Sequence, residues 1–256
     1  MGKYPIHFHM IGRVTKSYVK NNTVRNSYNR GTTIHGVHYL TVSRNTYYNC
    51  MGHTIFVEDA VETKNLIEYN VVAKTIASHS LLNTDASPGN FWITHPDNII
   101  RGNRAAGSEA YGFWMDYMET SIGPSFNPNI KPIKSKLGEF KDNVAHSVER
   151  YGVRIHHGHS PPATAIYQNH LSYKCKKNGI MGLTYGDVTF KNVTIAACKN
   201  DGLSFEWIGD VDYDVCKVDG AVFVGDSQLV GGSMKCGTKG PASDKWIVKN
   251  AHYYRF

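Results

Sequence analysis

The feature that most constrains this chain is a unit that recurs about every 24 residues: an asparagine, a short polar stretch, a glycine, then an apolar run. It reads Asn21 to Gly31 with Ile34, Asn45 to Gly52 with Ile55 and Val57, and Asn103 to Gly112 with Phe113 and Met115. It continues as Asn143 to Gly152 with Val153 and Ile155, Asn169 to Gly179 with Ile180, and Asn192 to Gly202 with Leu203 and Phe205. A period of this length means stacked repeats, each burying its apolar face on its neighbours. The repeated element alternates in the manner of a strand. Ile34, Val57, Met115, Val153, Ile155 and Phe205 point in, while His35, Glu58, Asp116, Arg154, His156 and Glu206 point out.

These residues predict an all-β fold, a single-stranded right-handed parallel β-helix whose rungs are about 24 residues long, with almost no helix. A β-propeller has a longer period, about 40 to 50 residues, and a sandwich would not keep an Asn-to-Gly unit in register. Asparagine suits a corner because it tolerates left-handed backbone and bonds to nearby main chain, and stacked asparagines can bond along the solenoid. The glycine is expected to supply a positive-φ turn before the strand. One β-helix domain is expected over residues 1–256, with inserts near 80–92 and 117–138 where the period breaks. A third excursion runs from His156 to Pro162, the pattern weakens past Phe205 around Gly231-Gly232, and strand character resumes from Trp246.

Composition narrows the partners. With 28 Lys and Arg against 21 Asp and Glu, the formal charge is +7, which favours polyanions. No Lys/Arg-dense run singles out nucleic acid, and no stretch of about 18 apolar residues could span a membrane. The start, Met1-Gly2-Lys3-Tyr4-Pro5, has no apolar signal region and lies almost inside a rung, so an excised or truncated piece of something longer is expected. None of the five cysteines forms a CxxC pair. Cys175 and Cys198 should stack on neighbouring rungs, as a disulfide or as a buried thiol ladder. Asn21-Asn22-Thr23 and Asn192-Val193-Thr194 are glycosylation sequons, with Asn21 and Asn192 as acceptors.

The outward residues of the strand carry the chemistry. His7 and His9 flank Phe8 and share a face with His35, Glu58 beside Phe56, Asp116 beside Trp114, His156 beside Arg154, and Glu206. The first insert would add Asn83, Asp85 and Trp92. Aromatic rings in such a column can stack on sugars, and carboxylates can act as acid and base or bind a hard cation. Glu58, Asp59 and Asp116 are the candidate catalytic acids; His7, His9, His35, Trp92, Trp114, Arg154 and His156 are candidate ligand-binding residues. Asp59 and Asp85 are candidate calcium ligands. His7 and His9, at i and i+2, could also form a two-histidine metal site. Each of these has a plainer reading as a solvated outward residue, a corner hydrogen-bonding device or a cap on the core.

Several strings then point to a family. Tyr4-Pro5-Ile6-His7-Phe8-His9-Met10 resembles the opening segment shared by the family of fibrocystin-L, transmembrane protein 2 and the cell-migration-inducing hyaluronan-binding protein. Thr33-Ile34-His35-Gly36, Gly52-His53, Phe56-Val57-Glu58-Asp59, Leu81-Leu82-Asn83-Thr84-Asp85, Phe91-Trp92-Ile93-Thr94 and Gly112-Phe113-Trp114 follow in the same order. The likeness is specific over roughly residues 4 to 150, and in detail is nearest the fibrocystin-L branch. It implies a right-handed parallel β-helix in the extracellular part of a large protein. It further implies a surface module that presents a groove to carbohydrate, hyaluronan or another glycosaminoglycan, or to a protein ligand. The alternative is a hyaluronan-cleaving glycoside hydrolase or a calcium-assisted polysaccharide lyase, in which Glu58 or Asp116 protonates the leaving oxygen and His9 and His35 hold the sugar carboxylate. A third reading is a rigid spacer.

Overall fold

A computed structural model describes residues 4–79, 83–184, 186–208, 216–225, 238–239 and 246–254. The side chain of Asn83 and residues Gly231, Gly232 and Cys236 lie outside them. Each rung contributes one strand to each of three sheets, and every strand pair is parallel. The first rung shows the order: Ile6–Arg13 enters the first sheet, Tyr18–Lys20 the second and Thr23–Arg25 the third, before the chain returns to the first at Thr32–His38. The three sheets enclose one apolar column, and the chain is a parallel β-helix. Among the described residues helix is confined to 3₁₀ turns at Asn83–Ala86, Gly123–Ser125 and Pro132–Lys134, all of them within the two predicted inserts. Past Phe205, where the sequence pattern weakens, strands continue at Cys216–Asp219, Val222–Val224 and Thr238–Lys239 as well as at Trp246–Lys249 and His252–Tyr254.

The inward alternation places Ile34, Ile55, Val57, Phe91, Phe113, Met115, Val153, Ile155, Ile180, Leu203 and Phe205 in the core, all 3% exposed or less. Like side chains stack on like, as in Phe91 on Phe113 at 4.6 Å, because parallel in-register strands bring equivalent positions to one height.

The repeat asparagines prove to be two adjacent columns. One residue at the corner between the second and third sheets is left-handed, as at Asn21 (φ 57°), Arg44 (56°), Tyr69 (53°), Asp142 (57°), Asn169 (53°) and Asn192 (51°). The next residue carries the ladder. Asn70 donates its N–H and Nδ2 to Asn103 Oδ1 at 3.0 and 3.1 Å, and Asn103 donates likewise to Asn143 Oδ1 at 3.0 and 3.2 Å. Asn22 and Asn45 extend it backwards. Asn21, Asn169 and Asn192 therefore serve the turn, whereas Asn45, Asn103 and Asn143 serve the ladder. A second ladder, at the corner between the first and second sheets, runs from Leu40 N–H to Asn65 and from Asn65 N–H to Asn98.

The expected role of the glycines needs correction. Gly31, Gly112, Gly152 and Gly179 do not have positive φ. They form a column in which a Cβ on Gly112 would sit 2.6 Å from the carbonyl oxygen of Gly152, and one on Gly152 2.6 Å from that of Gly179. Close approach of successive rungs, rather than turn geometry, demands glycine there. Cys175 and Cys198 do lie one rung apart, joined by the Lys199 N–H bond to Cys175 O, but both are buried and no disulfide links them. Their thiols bond to the carbonyls of Tyr173 and Ala196.

Candidate functional site

The outward face of the first sheet carries two columns. Register places His7, Thr33, Phe56, Trp92, Trp114, Arg154 and Met181 in one. His9 and His35 begin the second, Glu58 follows on His35 through its N–H bond to Ile34 O, and Asp116 pairs with His156 farther along. Apart from Asp59, beyond the strand end, and Asp85, in the first insert, the sequence-derived residues thus lie on one face, divided into two clusters.

The first cluster joins His7, His9, His35, Glu58 and Asp59. His9 Nδ1 lies 3.0 Å from His35 Nδ1, and His7 stacks on His35 with ring centroids 6.0 Å apart. His35 Nε2 meets Asp59 Oδ2 at 2.9 Å, and its Nδ1 lies 3.5 Å from Glu58 Oε2. The backbone supports this convergence. The register of the first strand slips just after His9, where Met10 and Gly12 both take positive φ, and Gly36 (φ 59°) follows His35. Bulges of this kind re-aim side chains at their ends. Burial is the main cause that lowers His7 to about 4, and the neighbouring His9, His35 and Arg30 act in the same direction.

The two inserts flank this cluster. From the first, Asp85 accepts from Arg30 Nη2 at 3.2 Å and from the His53 N–H at 2.9 Å. From the second, Ser125 donates its N–H to Asp59 Oδ2 at 3.2 Å, and Ile122 donates to the Asp59 carbonyl. Gly123 (φ 61°) approaches Asp59 so closely that a Cβ there would lie 2.4 Å from Oδ1. Arg30 ties the cluster together. It is 2% exposed, reaches Glu58 Oε1 at 3.5 Å, lies over the Tyr4 ring at 4.9 Å and over the Phe56 ring at 3.8 Å. No periodicity marked Arg30, which occupies a left-handed position just before Gly31. Its only sequence signal is an arginine beside a repeat glycine.

The second cluster is aromatic. Trp92 and Trp114 stack at 4.1 Å, with His53 3.8 Å from Trp92, Tyr111 4.0 Å from Trp114 and His156 5.4 Å from Trp114. Both tryptophans are half-buried outward residues rather than parts of the core. Arg154 is paired with Glu206 at 2.9 Å and lies over Tyr151. Asp116 is 2% exposed and accepts from His157 Nδ1 at 2.8 Å, which raises the His157 pKa; burial lowers His156 to about 4.

Asp59 and Asp85, the expected calcium pair, enter separate networks: Asp59 binds His35 and Ser125, and Asp85 binds Arg30 and His53. Calcium wants six to eight oxygens, and these acids do not form such a set. Among the described residues two groups do bring three ligating side chains together: His7, His9 and His35, and Asp116, His156 and His157. Their donors are mostly nitrogen, which suits transition metals.

Comparison with known proteins agrees with this architecture. The profile of the CEMIP beta-helix family matches residues 1–153. Mouse fibrocystin-L is 34% identical over 277 aligned residues, covering 100% of this chain and 6% of the relative. The human cell migration-inducing and hyaluronan-binding protein is 27% identical over 302 residues, covering 91% of this chain and 22% of the relative. Protein rliB of Dictyostelium discoideum is 35% identical over 57% of this chain and 14% of its own length. The chain therefore spans a small part of each of these relatives.

Proposed function

Because this chain belongs to the CEMIP beta-helix family, we propose that it is an extracellular module of a fibrocystin-L-like surface protein. It would offer the outer face of its first sheet to a carbohydrate chain. No helix among the described residues is long and apolar enough to cross a membrane. One relative carries hyaluronan binding in its name. An acidic glycosaminoglycan of that class suits the +7 charge. The observation that carries the reading is the stacked, half-buried Trp92–Trp114 pair on neighbouring rungs, continued by His156 on the next. Amphipathic ring faces in register can follow a chain-like ligand.

Binding is favoured over cleavage by the state of the carboxylates. A glycosidase needs two carboxyl groups facing one sugar about 5 to 9.5 Å apart. The side chains of Asp59 and Asp116 are each 3% exposed and bonded to a histidine, and only Glu58, at 24%, stays open. The test is size-resolved incubation of the purified chain with high-molecular-weight hyaluronan, with calcium and with chelator. The expected result is intact polymer that co-migrates with the protein. Trp114→Ala should weaken the association about tenfold, roughly 1.4 kcal/mol. Shortened polymer that depends on Glu58 would replace this reading with cleavage, and intact, unassociated polymer would leave a spacer or protein-binding role.

A further inference from the structure

We propose that His7, His9, His35 and Glu58 form a binding site for one divalent transition-metal ion of the zinc type. The site is distinct from the aromatic track and does not depend on the carbohydrate reading. It begins with the donor set: three imidazoles and one carboxylate are the ligands that zinc, cobalt, nickel and copper take, whereas calcium and magnesium select oxygen.

The spacing of the three imidazoles fits a single ion, and Glu58 adjoins them at His35 Nδ1. One nitrogen from each histidine lies within 4.8 Å of the others. The two measured approaches, 3.0 Å between His9 Nδ1 and His35 Nδ1 and 3.5 Å between His35 Nδ1 and Glu58 Oε2, bracket the ligand–ligand spacing of a tetrahedral ion. For bonds of about 2.05 Å that spacing is about 3.3 Å. Two of the four donor groups also hold orphaned atoms. His7 Nε2 and Glu58 Oε2 are buried and have no hydrogen-bond partner. Buried polar atoms without partners are rare because each costs about 1–3 kcal/mol. A cation answers both.

The surrounding groups orient the ligands as outer shells of metal centres do. Asp59 Oδ2 accepts from His35 Nε2 at 2.9 Å, which leaves the lone pair on Nδ1, the atom that faces His9 and Glu58. Asp59 is itself held by the Ser125 N–H at 3.2 Å. Arg30 Nη1 engages Glu58 Oε1 at 3.5 Å, leaving Oε2 for the ion. A carboxylate oxygen facing an imidazole lone pair is repulsive unless a cation or proton separates them. The cluster of Asp116, His156 and His157 differs in that its one carboxylate is itself the partner of His157, Oδ1 to Nδ1 at 2.8 Å, and His156 Nδ1 is its unmatched atom.

The test is titration of the metal-stripped chain with cobalt(II), followed by zinc displacement, in a buffer free of imidazole. We expect one equivalent to bind, with the intense visible absorption of tetrahedral cobalt, and zinc to bleach it. His9 is exposed, so His9→Ala should fold as the parent does by circular dichroism and lose the signal. Asp59→Asn, which acts through His35, should keep the stoichiometry and weaken affinity about 10- to 100-fold. Failure of the parent chain to bind either metal overturns the proposal. So does tetrahedral cobalt that survives in His9→Ala, or that is lost in His157→Ala while His9→Ala retains it.

Discussion

A single ladder asparagine shows how much one residue carries here. Asn103 Oδ1 accepts from Asn70 N–H and Nδ2, and its own Nδ2 reaches the Ile67 carbonyl at 2.9 Å. All of this is at 0% exposure. Asn103→Ala leaves the Asn70 N–H and the Ile67 carbonyl buried without those partners, at about 1–3 kcal/mol each. The urea midpoint should fall by the equivalent of about 3 kcal/mol, and a loss below about 1 kcal/mol would mean that the ladder is incidental. The turn asparagines behave differently. Asn21 and Asn192 are exposed, outside the buried ladder and inside sequons. Both should carry glycans when the chain is secreted from a eukaryotic cell, which intact-mass measurement before and after glycosidase treatment will read. A mass unchanged by the enzyme would exclude that modification. Sequence showed that these asparagines repeat. It did not separate the two columns, because the residues are adjacent and the same residue type suits both jobs.

At the scale of the element, the rung is limited by how closely strands can approach at the glycine column. A Cβ on Gly152 would meet Ser172 Oγ at 2.3 Å and the Gly179 carbonyl oxygen at 2.6 Å. Gly152→Ala should therefore destabilise the fold by about 1–3 kcal/mol, outweighing the 0.4–1 kcal/mol that loss of unfolded-state entropy would contribute. Thermal melting of the variant decides it. An unchanged or raised midpoint would show that the rungs can separate locally at no cost. Gly52 is the contrasting case, since its φ of 77° does need glycine, and it sits beside Asp85 rather than in the stacked column. The alternation within strands was legible from Ile34 to Phe205 because a period of two is written in residue type. The docking of the inserts was not, because Asp85 and Ser125 find Arg30 and Asp59 across 55 and 66 residues.

The whole molecule responds to pH through histidines buried in neutral form. Burial pushes His170 down to about 3 and His95 and His159 to about 4, below the free imidazole value of about 6.5. A depressed pKa means that the unfolded chain binds more protons, so stability is complete above about 6.5 and falls as pH drops from there toward 4. At pH 5 each of these three groups costs up to about 2 kcal/mol. His157 runs the opposite way, since Asp116 raises its pKa and that pair contributes below 6.5 and is lost at higher pH. His157 is much more exposed than the other three, so the buried set governs the sign. The melting temperature should drop steadily between pH 7 and pH 5, and His170→Asn should flatten the slope; a pH-independent midpoint would refute it. His170 occupies the ladder position after Asn143, so asparagine can take over its place in the stack.

The sequence by itself determined the solenoid, its inward residues and the face that carries His7, His9, His35, Glu58, Trp92 and Trp114. All of these follow from local periodicity, which each rung writes independently of the others. Only the tertiary structure decided which of those outward residues are free. It committed the buried Asp59, Asp85 and Asp116 to partners, added Arg30, and left His7 Nε2 and Glu58 Oε2 unmatched within the first cluster. The physical reason is that burial and pairing of a polar side chain depend on groups brought from other rungs and inserts, and no spacing in the chain records those distances.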